Sequence, residues 1–220
     1  MSYEISSNSK KYFLVLLLAH ISSHYFTLER ISFGQDTYAD KLRLIQNTNF
    51  SFINYLKLSV DRPLNFVFLD IQNLLIFDNK IIGFILLIIS TFGITICVFF
   101  LIYLVTKSLY YSFLITILFD LLPFKSEIFQ NIVYLNINIV TSIYILSIIG
   151  FFLYIESKRN IFFFLSCLTY LIGVFWYEIG FFLPIIIFFY NSKFNLKLEE
   201  IKKNLSIFFP YLIIMLIYSI

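Results

Sequence analysis

From Ile81 to Val105 the chain runs for 25 residues without an Asp, Glu, Lys, Arg or His. At about 1.5 Å per residue that run would make about 37 Å of helix, enough to cross a hydrocarbon core of about 30 Å. Comparable apolar runs recur with short polar breaks: Tyr12–Leu28, Ser108–Leu122, Ile128–Ile155, Ile161–Tyr190 and Leu205–Ile220. Hydrophobic residues make up 60% of the chain and charged residues 13%, against about a quarter charged in soluble domains. The runs are continuous and show no period-two alternation, which argues against a β-barrel. The reading is therefore all-α: a polytopic integral membrane protein of about seven transmembrane helices. A net charge of +3 is too small to suggest nucleic-acid binding.

The whole length, residues 1–220, reads as a single membrane domain. Lys10 and Lys11 precede a first span at 12–28, with no small-residue cleavage site after it. Residues 29–80 form a long loop, whose polar part from Glu29 to Arg62 is too long for an idle connector. Within it Pro63 opens an apolar segment, 63–77, of about 21 Å as a helix, too short to span. Asn65, Asp70, Gln72 and Asn73 gather on one arc of that segment, which predicts a helix lying in the membrane interface. The remaining spans fill 81–220. Glu178 interrupts the 30-residue run Ile161–Tyr190, so a tight hairpin is expected there, one span to about Trp176 and another from about Ile179. Glu199–Lys203 reads as a solvated loop or short surface helix, and the run from Leu205 stops at Ile220, which suggests an incomplete C-terminus.

Basic residues orient the threading. With the N-terminus cytoplasmic, Lys10, Lys11, Lys107, Lys158, Arg159, Lys193, Lys197, Lys202 and Lys203 all face the cytoplasm. The same threading puts Asp36, Asp40, Asp61, Asp70, Asp78, Asp120, Glu127 and Glu178 on the outer side. Charges cost at least about 2.5–3.5 kcal/mol near mid-bilayer, so ionisable groups beside spans are functional candidates. A carboxylate at the interface can act as general base toward a hydroxyl, and an arginine can hold a phosphate with its fork of donors. Those two roles together describe glycosyl transfer from a lipid-phosphate sugar. The plainer alternative is a set of solvated loop charges.

Four segments carry a resemblance, in order. They are Tyr38-Ala39-Asp40-Lys41-Leu42-Arg43-Leu44-Ile45-Gln46-Asn47; Arg62-Pro63-Leu64; Leu122-Pro123-Phe124-Lys125-Ser126-Glu127; and Tyr177-Glu178 followed by Pro184. Together they resemble the N-terminal part of a GT-C type membrane glycosyltransferase, in the tetratricopeptide-associated and protein O-mannosyltransferase-like branch. The resemblance implies Asp40, or the nearby Asp36, as catalytic base. It implies Arg62 as phosphate or structural anchor, with Glu127 and Glu178 as carboxylates lining the substrate site. Two positions depart from the pattern: Ala39 replaces one acid of the first-loop pair, and Tyr177 stands where the family has lysine.

The expected activity is transfer of a sugar from a polyprenyl-phosphate-linked donor to an acceptor at the outer face of the cell membrane. The expected partners are that lipid-linked donor and membrane lipid. The alternatives are a lipid-linked saccharide transporter or flippase, which would need mid-span charges and broken helices, and an inactive truncated fragment. No cofactor is expected; a divalent metal is compatible with the chemistry but unsupported by the residues. His20 and His24 lie one helical turn apart on the first span, where polar packing is favoured over metal ligation. Asp120, two residues before the interface, reads as site-lining or as reaching headgroup water. Cys97 and Cys167 read as packing thiols.

Overall fold

A computed structural model describes residues 7–25, 64, 80–121, 134–191 and 198–219. Among these the chain is all-helical, with no strand. The α-helices are α1 (Ser7–Tyr25), α2 (Lys80–Thr106), α3 (Leu109–Leu121), α4 (Tyr134–Ser157), α5 (Asn160–Trp176), α6 (Leu183–Asn191) and α7 (Leu198–Ser219). Two stretches are long and apolar enough to cross a membrane, Ile81–Thr106 and Leu135–Ser157. The expected interfacial helix at 63–77 lies outside the described residues apart from Leu64. The chain divides into two compact units, Met1–Tyr55 with Phe68–Ile139, and Leu56–Val67 with Val140–Ile220.

In the first unit α2 and α3 form an antiparallel pair joined by a two-residue turn. Lys107 ends α2 in the left-handed region at φ 55°, and its N–H donates to Tyr103 O at 2.8 Å. The Thr106 hydroxyl then accepts from Ser108 N at 3.3 Å. Lys158 repeats the device in the second unit, with φ 57° and an N–H donated to Tyr154 O at 2.8 Å. Such a cap satisfies an orphan carbonyl but suits glycine, since a Cβ in this conformation costs about 1–2 kcal/mol. Lys158→Gly is therefore expected to stabilise the α4–α5 turn by about 1 kcal/mol, read from denaturant unfolding in micelles. Unchanged or lower stability would contradict the strain argument.

The first unit is polar inside and greasy outside. His20, Ser90, Thr91, Thr95, Ser112, Thr116 and Asp120 are buried, whereas Ile81, Ile89 and Leu118 are more than half exposed, at 70%, 61% and 57%. A soluble helical bundle shows the opposite arrangement.

In the second unit α4 and α5 run antiparallel and approach closely at small side chains. The Ser147 hydroxyl donates to Ser166 O at 2.8 Å, and a Cβ on Gly150 would stand 3.2 Å from Phe162 O. Tyr211 on α7 joins the same knot, its hydroxyl 2.6 Å from Ser166 Oγ. Such small-residue crossings suit helices that cannot rely on a hydrophobic drive to associate. Around the knot pack Val140, Tyr144, Phe151, Tyr170, Val174, Phe208 and Ile214.

The break expected near Glu178 is present. Helix α5 ends at Trp176, Glu178–Gly180 makes one 3-10 turn, and α6 begins at Leu183. A break inside an apolar stretch exposes carbonyls that need donors. Two buried tyrosines supply them: Tyr144 Oη donates to Tyr177 O at 2.6 Å, and Tyr170 Oη to Phe181 O at 2.7 Å. Helix α6 covers Leu183–Asn191, nine residues of the second arm expected from about Ile179. Glu199–Lys203 is likewise helical, part of α7 rather than a loop.

The Tyr144 ring sits in a slot between two glycines. A Cβ on Gly173 would stand 2.8 Å from Tyr144 Cε1, and one on Gly180 would collide with the same ring. Gly180→Ala is thus expected to push Tyr144 off Tyr177 O and to destabilise by about 1–3 kcal/mol. The check is unfolding of Gly180→Ala beside Tyr144→Phe. Wild-type stability in the alanine variant would contradict the slot.

Candidate functional site

The first unit brings together polar side chains from three helices, two of them ionisable. His20 of α1 is 0% exposed and lies against Asp120 of α3, whose side chain is 1% exposed. The His20 Nδ1 is 2.9 Å from Oδ1 and 3.0 Å from Oδ2. Thr95 of α2 donates its hydroxyl to Asp120 Oδ1 at 2.9 Å. On the other edge of the ring, Nε2 lies 3.0 Å from Thr91 Oγ1 and 3.3 Å from Ile88 O. Phe92 covers the ring at a centroid distance of 5.2 Å.

Helical spacing builds this cluster. Thr91 and Thr95 are one turn apart on α2, and Ser112, Thr116 and Asp120 repeat every four residues on one buried face of α3. The location is midway along the unit. Thr91 lies about 16 Å from the Lys80 end of α2, and Thr95 about 16 Å from the Thr106 end, at about 1.5 Å per residue. Asp120, read from the sequence as lining the site or reaching headgroup water, is buried here. Asp120 is as far along α3 from the turn as Thr95 is along α2, so the two meet level with the middle of α2. The carboxylate there is buried against His20 and the Thr95 hydroxyl.

Contact pairs also set helix directions. Tyr12 packs on Phe113 at 4.8 Å and His20 meets Asp120, so α1 and α3 run parallel. Helix α2 runs opposite to both. Lys10, Lys11 and Lys107 therefore share one end of the unit and are exposed there. The chain leaves α1 after Tyr25 and enters α2 at Lys80 from the other end.

Of the residues the sequence offers as a site, Asp36, Asp40, Arg62 and Glu127 lie outside the described residues, as does the side chain of His24. Glu178 is half-buried and opens the 3-10 turn after α5, next to the Tyr177 carbonyl that Tyr144 holds. It lies in the second unit, and His20 and Asp120 in the first.

The His20–Asp120 pair is what residue-by-residue reading missed. A signal existed: each is an ionisable residue inside an apolar run, and hydroxyls stand four residues apart on both α2 and α3. Two ligand-type side chains meet at the pair. Among the described residues no group of three or more His, Cys, Asp or Glu could hold a metal ion. No family model, curated protein or solved structure matches the chain.

Proposed function

We propose that this chain is a polytopic membrane protein of about seven spans, its N-terminus cytoplasmic. On this reading it transfers a sugar from a polyprenyl-phosphate-linked donor to an acceptor at the outer face of the cell membrane. The observation that carries the proposal is the shared polarity of the helix ends. Lys10, Lys11 and Lys107 gather at one end of the first unit, the cytoplasmic end by the positive-inside rule. The segment carrying Asp36, Asp40 and Arg62 joins α1 to α2 at the opposite end. In the second unit Glu178 follows α5 at the end remote from Lys158 and Arg159, about 25 Å along the helix and close to the thickness of a hydrocarbon core. The exposed apolar faces and buried polar groups support a lipid surround.

The resemblance to GT-C type glycosyltransferases then supplies the chemistry. Asp40 or Asp36 deprotonates the acceptor hydroxyl. Arg62 holds the departing phosphate, and Glu127 and Glu178 line the donor site. The test is incubation of the full chain in liposomes with labelled polyprenyl-phosphate sugars, with and without a chelator. Consumption of one donor is expected; a full panel left intact would overturn the reading.

A second reading, movement of a lipid-linked saccharide across the bilayer, has specific support. The ionisable residues His20 and Asp120 meet beside the middle of α2, the stretch Tyr177–Phe182 interrupts an apolar run, and Pro210 lies inside α7. The same liposomes separate the two, because a transporter relocates labelled donor between leaflets without consuming it.

A further inference from the structure

Two turns that the threading places on the cytoplasmic side are built alike. Tyr103-Leu104-Val105-Thr106-Lys107-Ser108 closes α2, and Tyr154-Ile155-Glu156-Ser157-Lys158-Arg159 closes α4. Tyrosine, a hydroxyl residue and lysine recur at the same spacing, and so do their bonds. The Thr106 hydroxyl donates to Ile102 O at 2.9 Å and accepts from Ser108 N–H at 3.3 Å. The Ser157 hydroxyl donates to Leu153 O at 2.7 Å and accepts from Arg159 N–H at 3.3 Å. In both turns the lysine stands in the left-handed region, at φ 55° and 57°, where glycine or asparagine is favoured.

Nothing in the backbone calls for lysine. Main-chain N–H groups and the two hydroxyls close the caps, so glycine would close either turn without the penalty of a Cβ. What lysine adds is an exposed amine. In the second turn its Nζ lies 6.0 Å from the Tyr154 ring centroid, at the edge of cation–π reach. The surroundings indicate what the amine meets. Val105, Tyr110 and Tyr111 beside Lys107 are exposed, as are Ile161, Phe164 and Leu165 beyond Lys158. A cation bordered by exposed apolar and aromatic side chains fits an amphiphile, with a phosphate for the amine and acyl chains for the rim. A free phosphate would leave that rim in water.

We propose that each turn binds the headgroup of an anionic phospholipid, with its lysine on the phosphate. The first turn is the stronger site. Lys10 and Lys11 share its end of the unit with no acid among the described residues there, whereas the second turn sets Glu156 beside Lys158 and Arg159. The proposal rests on the membrane placement proposed above and on neither proposed activity.

The experiment is native mass spectrometry of the full chain released from micelles. The probes are dioleoyl phosphatidylglycerol, dioleoyl phosphatidylcholine and glycerophosphate. The parent is expected to retain phosphatidylglycerol in preference to phosphatidylcholine. Lys107→Gly should weaken phosphatidylglycerol binding about fivefold, the effect of one cation at an anionic surface, and Lys107→Arg should keep it. Lys158→Gly should weaken the second site in the same sense. Because glycine suits these turns, the glycine variants should be no less stable than the parent, so lost lipid is separated from lost fold. Equal retention of the two lipids, or a double glycine variant that holds phosphatidylglycerol as tightly as the parent, overturns the proposal. Glycerophosphate competing at the concentration of the lipid would assign the turns to a soluble phosphate and overturn it too. Extraction of the parent from neutral vesicles by alkaline carbonate would overturn the membrane placement itself, and the proposal with it.

Discussion

Replacing Asp120 with alanine is expected to destabilise the first unit by about 1–3 kcal/mol, because it takes the buried hydrogen-bond partner from His20 Nδ1 and from the Thr95 hydroxyl. The size follows from position. His20 is 0% exposed and sits beside the middle of α2, where water cannot replace the carboxylate. Deleting both members should behave differently. A His20→Leu, Asp120→Leu double variant removes both polar partners, and replacing both by apolar groups can be nearly neutral or stabilising. The double-mutant cycle, read from denaturant unfolding in micelles, should therefore be strongly non-additive. Two single variants whose small effects simply add would show that the pair does not hold α1 to α2 and α3.

The second large effect concerns chemistry at the outer face. In the full chain, Asp40→Asn should lower consumption of a polyprenyl-phosphate sugar by about a hundred- to ten-thousand-fold, the usual contribution of a positioned general base. Asparagine keeps the shape of the side chain and removes its basicity. The protein should therefore remain folded while the acceptor hydroxyl keeps its proton. Arg62→Ala should depress turnover as well, and Arg62→Lys should recover part of it, since lysine offers a charge without the planar fork. Asp36→Asn shows whether the neighbouring carboxylate shares the role that Ala39 leaves to Asp40. Undiminished turnover in both Asp40→Asn and Asp36→Asn would remove the first-loop carboxylates from the mechanism.

Much of the helical layout was legible because apolar runs and charged breaks are set by the solvent around each segment. The Lys107 and Lys158 turns fall where basic residues interrupt the runs, and the stop at Trp176 falls where Glu178 would otherwise be buried in a helix. Two features were not legible. The hydrogen bond from Tyr144 to the Tyr177 carbonyl joins residues 33 positions apart, which hydropathy alone does not encode. The His20–Asp120 pairing joins residues 100 positions apart, and its level in the unit is set by the tight turn that folds α3 back on α2. A one-dimensional threading placed Asp120 at the end of a span.

The central claim is that the segment between α1 and α2 faces outward, on the side opposite Lys107. It is tested most directly by an Ala39→Cys variant in which Cys97 and Cys167 are exchanged for alanine, treated in intact cells with a membrane-impermeant maleimide. Labelling beside Asp40 from outside the cell, with no need to open the membrane, is the predicted result. Labelling only after the cytoplasmic face is exposed would leave outer-face sugar transfer without a base.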